Sequence, residues 1–497
     1  MGDVPESWCV VPLGEVVTLN PGVNKGQFSD GDEVPFVPMP AVEAETGRID
    51  TSERRPFGKV KSGFTAFASG DVIFAKITPC MENGKMAVVP PLPQGVGFGT
   101  TEFHVMRPSE AVDRRLLYYF VSSAALRHEA QHHMTGAVGQ KRVPKRYLET
   151  KLFPVPPLNE QRRIVEKFET LFARLDKGEE ALREVQKLLS RYRQSVLKAA
   201  VTGELTAEWR AENAHRLEHG RDLLARILKT RRETWEGRGK YKEPAAPDTT
   251  GLPELPEDWV WSSLGQIVSK IEAGKNFRCE ERPPEGAEIG IVKISAVTWD
   301  EFNEFESKTI LLPEQVNAAL FIKEGDLLIS RANTIELVGA SVVVEKVAKR
   351  LQLSDKVLRL RCVEPIEHWV NYVLKSPLGR RQIEERATGA QMSMRNISQK
   401  NLEGIAVPLP PLSEMNAAVE GLRDAHRQGD RLKYLCGTEI ARSAALRQSI
   451  LKDAFAGRLV PQDPADEPAT ALLARVKDAG TATPKRTSRT SPTKVAS

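Results

Sequence analysis

Two histidines and a glutamate stand at His128, Glu129 and His132, the spacing with which metalloproteases bind zinc on one helix face. Glu129 would act as the general base of such a site. No third ligand follows at the spacing of that enzyme class, and the corresponding stretch of the second half, RQIEE from Arg381, contains no histidine. We therefore interpret the motif as a solvated helix face.

Other catalytic signatures are missing or nonspecific. The chain has no phosphate-binding G-x-x-x-x-G-K-[ST] loop, no Asn/Asp-Pro-Pro-Tyr methyltransferase motif and no Ser/His/Asp set that repeats between its halves. The Glu-x-Lys triplets at Glu149–Lys151 and Glu306–Lys308 resemble a fragment of nuclease sites, but chance explains them in so charged a chain. The sequence predicts a protein without catalytic activity of its own.

Polar and basic residues occur in matching places in the two halves of the chain. Arg, Lys, Asn and Gln are the side chains that read base edges and bind phosphates, so we select these stretches as DNA-binding candidates, although any single residue could be a solvated surface group. The candidates after a Gly-Asp strand are Lys76, Thr78, Asn83 and Lys85, with Arg331, Asn333 and Thr334. Those after a Thr-Gly turn are Gln140, Lys141, Arg142, Lys145 and Arg146, with Gln391, Ser393, Arg395 and Asn396.

A tandem duplication explains the matching places. VPESWCVVPLGEVV at Val4–Val17 returns as LPEDWVWSSLGQIV at Leu255–Val268. At nearly the same offset, a Gly-Asp strand, a Thr-Gly turn, a P-x-PPL-x-E segment and an S-[VI]-L-K-x4-G-x-L segment also recur. By contrast, residues 20–66 and 271–321 barely align. A shared scaffold with two different variable surfaces indicates one molecule that reads two different things.

The composition bounds the class of protein. With 497 residues the chain exceeds one hydrophobic core, so several domains are expected. Its net charge of +5 is too mild to indicate nucleic acid by itself. The five cysteines form no C-x-x-C pair, and we see neither an apolar run of membrane-spanning length nor a signal segment, which together favour a reducing cytoplasm.

Each copy combines a compact α/β module with a long helix. Short β-rich runs separated by Gly, Pro, Asn and Asp predict the strands. Asn159 and Ser413 are predicted helix N-caps, followed by Glu160 and Glu414 in the first turns. A heptad seam then runs through Ile164, Phe168, Leu171, Leu175, Gly178, Leu182, Val185, Leu189, Tyr192 and Val196, and a looser one through Leu422, Ala425, Gly429, Leu432, Cys436, Ile440, Ser443, Leu446 and Ile450. Each helix could pack on its own module, or the two could pair with each other.

The five repeated features, in this order over nearly the whole chain, resemble the specificity subunit of type I restriction–modification systems. The resemblance implies two target recognition domains, each reading half of a split DNA site, and two long helices that pair as an antiparallel coiled coil and dock partner subunits. The partners would be double-stranded DNA, modification (methyltransferase) subunits and restriction (motor/endonuclease) subunits. This chain would hold no cofactor, whereas S-adenosylmethionine, ATP and Mg²⁺ would bind the partners.

On this basis we predict recognition domains at 1–155 and 251–406 and spacer helices at 156–205 and 407–460. A charged helix with a Pro-rich linker would occupy 206–250, and a helix with a disordered basic tail 461–497. One rival interpretation is a coiled-coil protein-interaction scaffold without DNA readout. Another, an autonomous DNA-modifying enzyme, is disfavoured by the missing motifs.

Overall fold

A computed structural model describes residues 4–137, 139–213, 215, 218–236, 239–298, 301–391 and 394–481. The chain divides into two compact units. Unit 1 combines Met1–Leu182 with Gly437–Ser497, and unit 2 is Arg183–Cys436. Each long helix therefore contributes one part to each unit. The predicted domain boundaries remain predictions.

Unit 1 contains the first module, which is built from one two-stranded and two four-stranded sheets. Its strands are β1 Cys9–Pro12, β2 Val17–Leu19, β3 Glu33–Val37, β4 Arg54–Pro56, β5 Thr65–Ala68, β6 Val72–Ala75, β7 Met86–Val88, β8 Val96–Gly99, β9 Phe103–Pro108 and β10 Leu152–Val155. Its helices are α1 Leu13–Val16, α2 Phe57–Val60, α3 Arg114–Ser122, α4 Ala124–His132, α5 Lys145–Thr150 and the first part of α6 Leu158–Val201. The sheet orders are β1-β10, β2-β9-β6-β7 and β4-β3-β8-β5.

Unit 2 contains the second module on a related plan. Its strands are β11 Val260–Ser263, β12 Val268–Ala273, β13 Cys279–Glu280, β14 Ile289–Val292, β15 Ser307–Ile310, β16 Leu327–Ser330, β17 Ala332–Asn333, β18 Ser341–Val343, β19 Arg350–Gln352, β20 Val357–Cys362, β21 Thr388–Gln391, β22 Met394–Asn396 and β23 Ala406–Leu409. The helices that follow α6 are α7 Ala207–Asn213, α8 Gly220–Glu233, α9 Leu264–Ile267, α10 Glu367–Lys375, α11 Pro377–Arg386, α12 Gln399–Glu403, α13 Leu412–Ala454 and, in unit 1, α14 Ala469–Thr481. The sheet orders are β11-β23, β12-β20-β16-β18, β13-β15-β14-β19 and β17-β22-β21.

The variable blocks build their sheets differently. Both modules pair two strands in parallel, β3 with β8 and β14 with β19, and add an antiparallel strand beside the first of each pair, β4 or β15. The fourth strand then joins opposite edges: β5 lies beside β8 in the first module, whereas β13 lies beside β15 in the second. The two modules thus share a three-stranded arrangement and differ in the edge that the fourth strand joins. The strands and helices together confirm the mixed α/β fold class.

The repeated Gly-Asp strands are explained by structure rather than by ligand binding. Gly70 and Gly325 turn the chain with φ of +85° and +84°, a conformation that favours glycine. The Asp71 carboxylate then accepts hydrogen bonds from Arg107 at 2.7 and 2.8 Å. The equivalent Asp326 carboxylate accepts one at 2.9 Å from the fully buried Arg359. Both aspartates are buried charges with partners, which is the condition for burying a charge at moderate cost.

The repeated Trp and P-x-PPL-x-E segments form one hydrogen-bonded unit in each module. We call each of these units a latch. In the first latch, the buried Glu160 accepts the Trp8 indole N–H at 2.9 Å and the Gln462 amide N–H at 2.6 Å. Burial raises the pKa of Glu160, although these two hydrogen bonds oppose the shift.

The second latch has the same geometry and adds an ion pair. The buried Glu414 accepts the Trp259 indole N–H at 3.0 Å, the Thr206 hydroxyl at 2.6 Å and the Arg210 Nε–H at 2.9 Å. Both latches lie at the starts of long helices, where a carboxylate also complements the helix dipole.

The long helices pair antiparallel, as expected. In unit 1, Asp176 of α6 pairs with Arg447 of α13, and Glu179 accepts the Ser443 hydroxyl at 2.8 Å. In unit 2, Arg193 of α6 lies 3.9 Å from Asp430 of α13. Residue numbers therefore rise along α6 in the direction in which they fall along α13, which is the antiparallel arrangement. The helices begin at Leu158 and Leu412, two residues before Glu160 and Glu414, which would be the first helical residues after the predicted N-caps. Asn159 and Ser413 therefore lie within the first turns.

The two packing hypotheses for these helices are both partly correct. Near its start, α6 packs on its own module, where the ring centroids of Phe168 and Tyr119 are 4.6 Å apart. The middle of the seam is only partly covered by the partner helix: Val185 is 39% exposed, Tyr192 54% and Leu432 47%. None of the described helices combines the length and the apolar character that crossing a membrane requires.

Removing the Glu414 carboxylate is expected to destabilise unit 2 strongly. Glu414→Ala leaves the Arg210 Nε–H and the Trp259 indole N–H without their acceptor, and removing one partner of a buried pair in this way costs about 3–5 kcal/mol. Urea unfolding of the full chain measures the loss. Glu420→Ala, an exposed carboxylate on the same helix, is the matched control and should change stability by less than about 0.5 kcal/mol. Equal stability of the two variants would contradict the role of the latch.

Candidate nucleic-acid interface

In the first module, the two predicted polar stretches lie side by side. The Thr78 N–H donates to the Lys141 carbonyl at 2.9 Å, and the Val143 N–H donates to the Lys76 carbonyl at 2.9 Å. The backbone of Arg142 also pairs antiparallel with that of Thr135 in the Thr-Gly turn. We call the segment around the Thr135–Arg142 pair the first hairpin. It pairs with residues 76–78, the segment directly after β6, so backbone hydrogen bonds hold the two stretches together.

The second module repeats this arrangement. Strand β17 pairs with β22, so that Ala332 lies opposite Asn396 and Asn333 opposite Arg395. The Ile397 N–H donates to the Arg331 carbonyl at 2.9 Å, as Val143 does to Lys76. We call strands β21 and β22 the second hairpin. Stretches that are far apart in sequence therefore meet in one small antiparallel arrangement in each module.

Several candidate cations are already engaged within the protein. Arg142 forms a two-pronged ion pair with Glu102, at 2.9 and 2.8 Å, and Lys145 lies 3.0 Å from Glu149. The Lys85 ammonium donates to two backbone carbonyls, those of Met39 at 3.1 Å and Val42 at 2.8 Å.

In the second hairpin, Arg395 donates to the Gly389 and Ala387 carbonyls, both at 2.7 Å. Thr78, on the strand side of the first hairpin, donates its hydroxyl to Glu82. These side chains hold the loops in shape, and among the candidates they are the ones least available to a ligand.

The remaining candidates are more available. Asn83, Gln140, Lys141, Arg146 and Asn396 are exposed, whereas Lys76, Arg331, Asn333 and Thr334 are half-buried. Within the described part of the chain, the ammonium and guanidinium groups of Lys76, Lys141, Arg146 and Arg331 show no ion pair. Ser393 lies outside the described residues, and Gln391 is placed only by its backbone in β21. The DNA contacts of all these residues stay predictions.

The first hairpin has a defined electrostatic base. The hydrogen bonds from Arg142 hold the pKa of Glu102 below its usual value. Nearby, the buried His104 ring has Nε2 2.8 Å from the Val143 carbonyl oxygen, and burial lowers its pKa. At neutral pH a charged carboxylate and a neutral imidazole therefore support this hairpin, with Nε2–H donating to the carbonyl.

One pair of positioning residues was missed in the sequence. Arg127 of α4 donates to the Glu82 carbonyl at 2.6 Å, and Arg380 of α11 donates to the Val338 carbonyl at 2.6 Å. Both arginines thus tie a helix to the loop after the Gly-Asp strand. The signal was available, because Ser123 and Ser376 align and each arginine follows its serine by the same spacing.

Breaking the Glu102–Arg142 pair is expected to loosen the first hairpin. A partly exposed charged hydrogen bond of this kind is worth about 1 kcal/mol after screening, so Glu102→Ala should speed amide exchange at Arg142 and Val143 roughly fivefold. Hydrogen exchange of the full chain measures this. Glu149→Ala removes the exposed Lys145 pair of the same module and should leave these amides unchanged. The same exchange rates in both variants would argue against the anchoring role.

The comparisons with known proteins decide the family. Residues 5–185 match the family model described as the type I restriction modification DNA specificity domain. The specificity subunit of the type I restriction enzyme EcoEI, from Escherichia coli, is 31% identical over 479 residues, which cover 87% of this chain and 80% of the relative. The chain belongs to the type I restriction enzyme specificity subunits. Further similar members are the EcoAI subunit of E. coli, 27% identical with coverage of 88% and 80%, and the EcoKI subunit of E. coli strain K12, 26% identical with coverage of 96% of both chains.

Solved structures agree at the level of the fold. A chain from work on complex assembly and conformational transition of the type I R-M system superposes with a TM-score of 0.69 at 23% identity, covering 92% of this chain and 100% of that one. The HsdS subunit from Thermoanaerobacter tengcongensis gives 0.54 at 23% identity, covering 92% and 98%. As a specificity subunit, the chain belongs to the DNA-recognition part of a restriction–modification system, and catalysis resides in other subunits.

Proposed function

We propose that this specificity subunit reads a bipartite, asymmetric target in double-stranded DNA, one half with each module. The observation that carries the proposal is the pair of equivalent hairpins, each next to a polar strand and each with different side chains. Equivalent placement supports one shared task, and different side chains support two different half-sites. Lys76, Lys141, Arg146 and Arg331 would contact phosphates, whereas amide and apolar side chains would read base edges.

We further propose that the long helices dock the modification subunits, and that restriction subunits join that complex in the cytoplasm. Support comes from the middle of the helices in unit 2, where Leu188 is 51% exposed, Tyr192 54% and Leu435 47%. Apolar side chains left uncovered on a paired helix surface mark protein interaction sites. S-adenosylmethionine, ATP and Mg²⁺ would bind to those partner subunits.

The same exposed surface favours a second candidate function, a protein-interaction scaffold without DNA readout. The two are separated by binding of the chain, purified with its modification subunits, to random-sequence duplex and to the methylated motif of its host. We expect a methylation motif of two different half-sites with a gap, and tighter binding to duplexes that carry it. Complex formation without any DNA preference would favour the scaffold, and a continuous palindromic motif would overturn the bipartite assignment.

A further inference from the structure

Gln140 and Met394 occupy the same place in the two hairpins. In each, the residue's carbonyl oxygen lies over the glycine of the Thr-Gly turn. A Cβ added to Gly136 would lie 3.0 Å from the Gln140 oxygen, and one added to Gly389 would lie 2.5 Å from the Met394 oxygen. The equivalent buried residues Val143 and Ile397 follow at the same distance along the chain. The two modules thus share this backbone position and present different side chains at it.

Both side chains are exposed, and the requirements of folding do not explain Met394. It is 68% exposed, whereas Ile397 on the same segment is fully buried. A methionine that is about two-thirds exposed contributes little to stability, and an exposed apolar side chain on a short strand favours unwanted association. Its chemistry is therefore available for a ligand.

The hairpin backbone holds the position in place. Arg142 is fixed by Glu102 in the first hairpin, and Arg395, the residue after Met394, is fixed by two carbonyls in the second. A side chain on so anchored a backbone is pre-organised, which lowers the entropic cost of a contact.

The surroundings suit a polyanion. Lys141 is exposed beside Gln140. In the second module, the Ile397 N–H joins the hairpin to Arg331, whose own N–H donates at 2.8 Å to the carbonyl of the exposed Lys356. Cations next to a protruding side chain position it on a phosphate backbone.

We infer that this position is a specificity-determining residue of each module, with Gln140 contacting an adenine edge in one half-site and Met394 contacting a thymine methyl group in the other. The inference rests on the proposed function. A glutamine amide donates to adenine N7 and accepts from its N6 amino group, whereas an apolar side chain favours the C5 methyl group that distinguishes thymine in the major groove.

Base analogues test both assignments on the chain purified with its modification subunits. Once the target is determined, the thymines of the half-site read by the second module are replaced by deoxyuridine, which lacks the methyl group. The wild type should bind about fourfold more weakly, the value of one buried methyl group, and Met394→Ala should be insensitive to the replacement. Met394→Leu should keep the sensitivity, because leucine keeps the apolar contact.

The first module is tested with 7-deazaadenine, which lacks the N7 acceptor. The wild type should lose roughly tenfold in affinity, whereas Gln140→Ala should bind both duplexes equally.

The matched control for the deoxyuridine experiment is Leu337→Ala, which changes an exposed apolar residue of the second module outside the hairpin. This variant should keep the wild-type response to deoxyuridine.

The outcomes separate this inference from the proposed function. A wild-type complex that prefers its target but ignores both analogues overturns the inference alone, as does a Met394→Ala variant that remains sensitive to deoxyuridine. Loss of all DNA binding in both Met394→Ala and Met394→Leu would assign Met394 a structural role and overturn its assignment as a reader. A wild-type complex without any DNA preference would overturn the proposed function, and this inference with it.

Discussion

Exchanging residues 20–147 for the same block of another specificity subunit is expected to replace one half of the recognised DNA site and leave the other half unchanged. The block contains strands β3 to β9 and the first hairpin, all of which lie in unit 1. Helix α6 begins after the block, and Trp8 and Gln462, which donate to Glu160 in the first latch, also lie outside it. Sequencing the methylated motif in a host that carries the chimera measures the outcome.

The reciprocal exchange is the control. Replacing residues 271–400 should change the other half-site, because this block contains the second hairpin and its neighbouring strands. If either exchange altered both half-sites together, readout would depend on the whole molecule rather than on one module.

Adding one heptad to both long helices is expected to lengthen the gap between the half-sites by about three base pairs. Seven residues add roughly 10 Å of helix, and the heptad repeat keeps the seam facing its partner. At about 3.4 Å per base pair, this length corresponds to about three steps of duplex. Insertions after Val185 and before Leu432 fall in the exposed middle, so the buried helix ends are preserved. The methylated motif should keep both half-sites.

A heptad in only one helix is the matched control for that experiment. It shifts the two helices by seven residues relative to each other, so the Arg193–Asp430 pair of unit 2 and the Asp176–Arg447 pair of unit 1 cannot both form. We expect the complex that such a chain forms with modification subunits to lose methylation of the target. A double insertion that changed the bases read, or left the gap as it was, would show that the helices do not set the spacing.

Much of the fold could be predicted because its signals are local or repeated. Heptad spacing identified α6 and α13, and the hairpins lie at the two Thr-Gly turns that the sequence predicted. The end of a helix was harder to place. The sequence predicts one helical stretch from Asp113 to the Thr-Gly turn, but the structure breaks it at Ser123. The extended backbone of Ser123 ends α3, and its hydroxyl accepts the Leu126 N–H at 3.4 Å as the cap of α4. One hydroxyl group decides between one helix and two.

The candidate site was predictable as a set of regions but not residue by residue. The polar stretches do meet, yet the sequence could not show that Arg142 is engaged by Glu102 or Lys85 by the Val42 carbonyl, because both partners are distant along the chain. Nor could it show that β5 and β13 join opposite edges of their sheets. Basic residues look alike in a sequence, and only tertiary contacts separate those that brace a loop from those that remain available.

The unequal make-up of the two units has a consequence for biosynthesis. Unit 2 is one continuous segment, whereas unit 1 cannot be completed until Gly437 and the residues that follow it have been synthesised. Until the ribosome has made Phe455 and Gln462, the rings of Phe120 and Phe168 and the carboxylate of Glu160 lack partners that lie against them in the finished protein. The module translated first is therefore the last to be completed, and a nascent chain spends that interval with an aromatic surface open to chaperones or to aggregation.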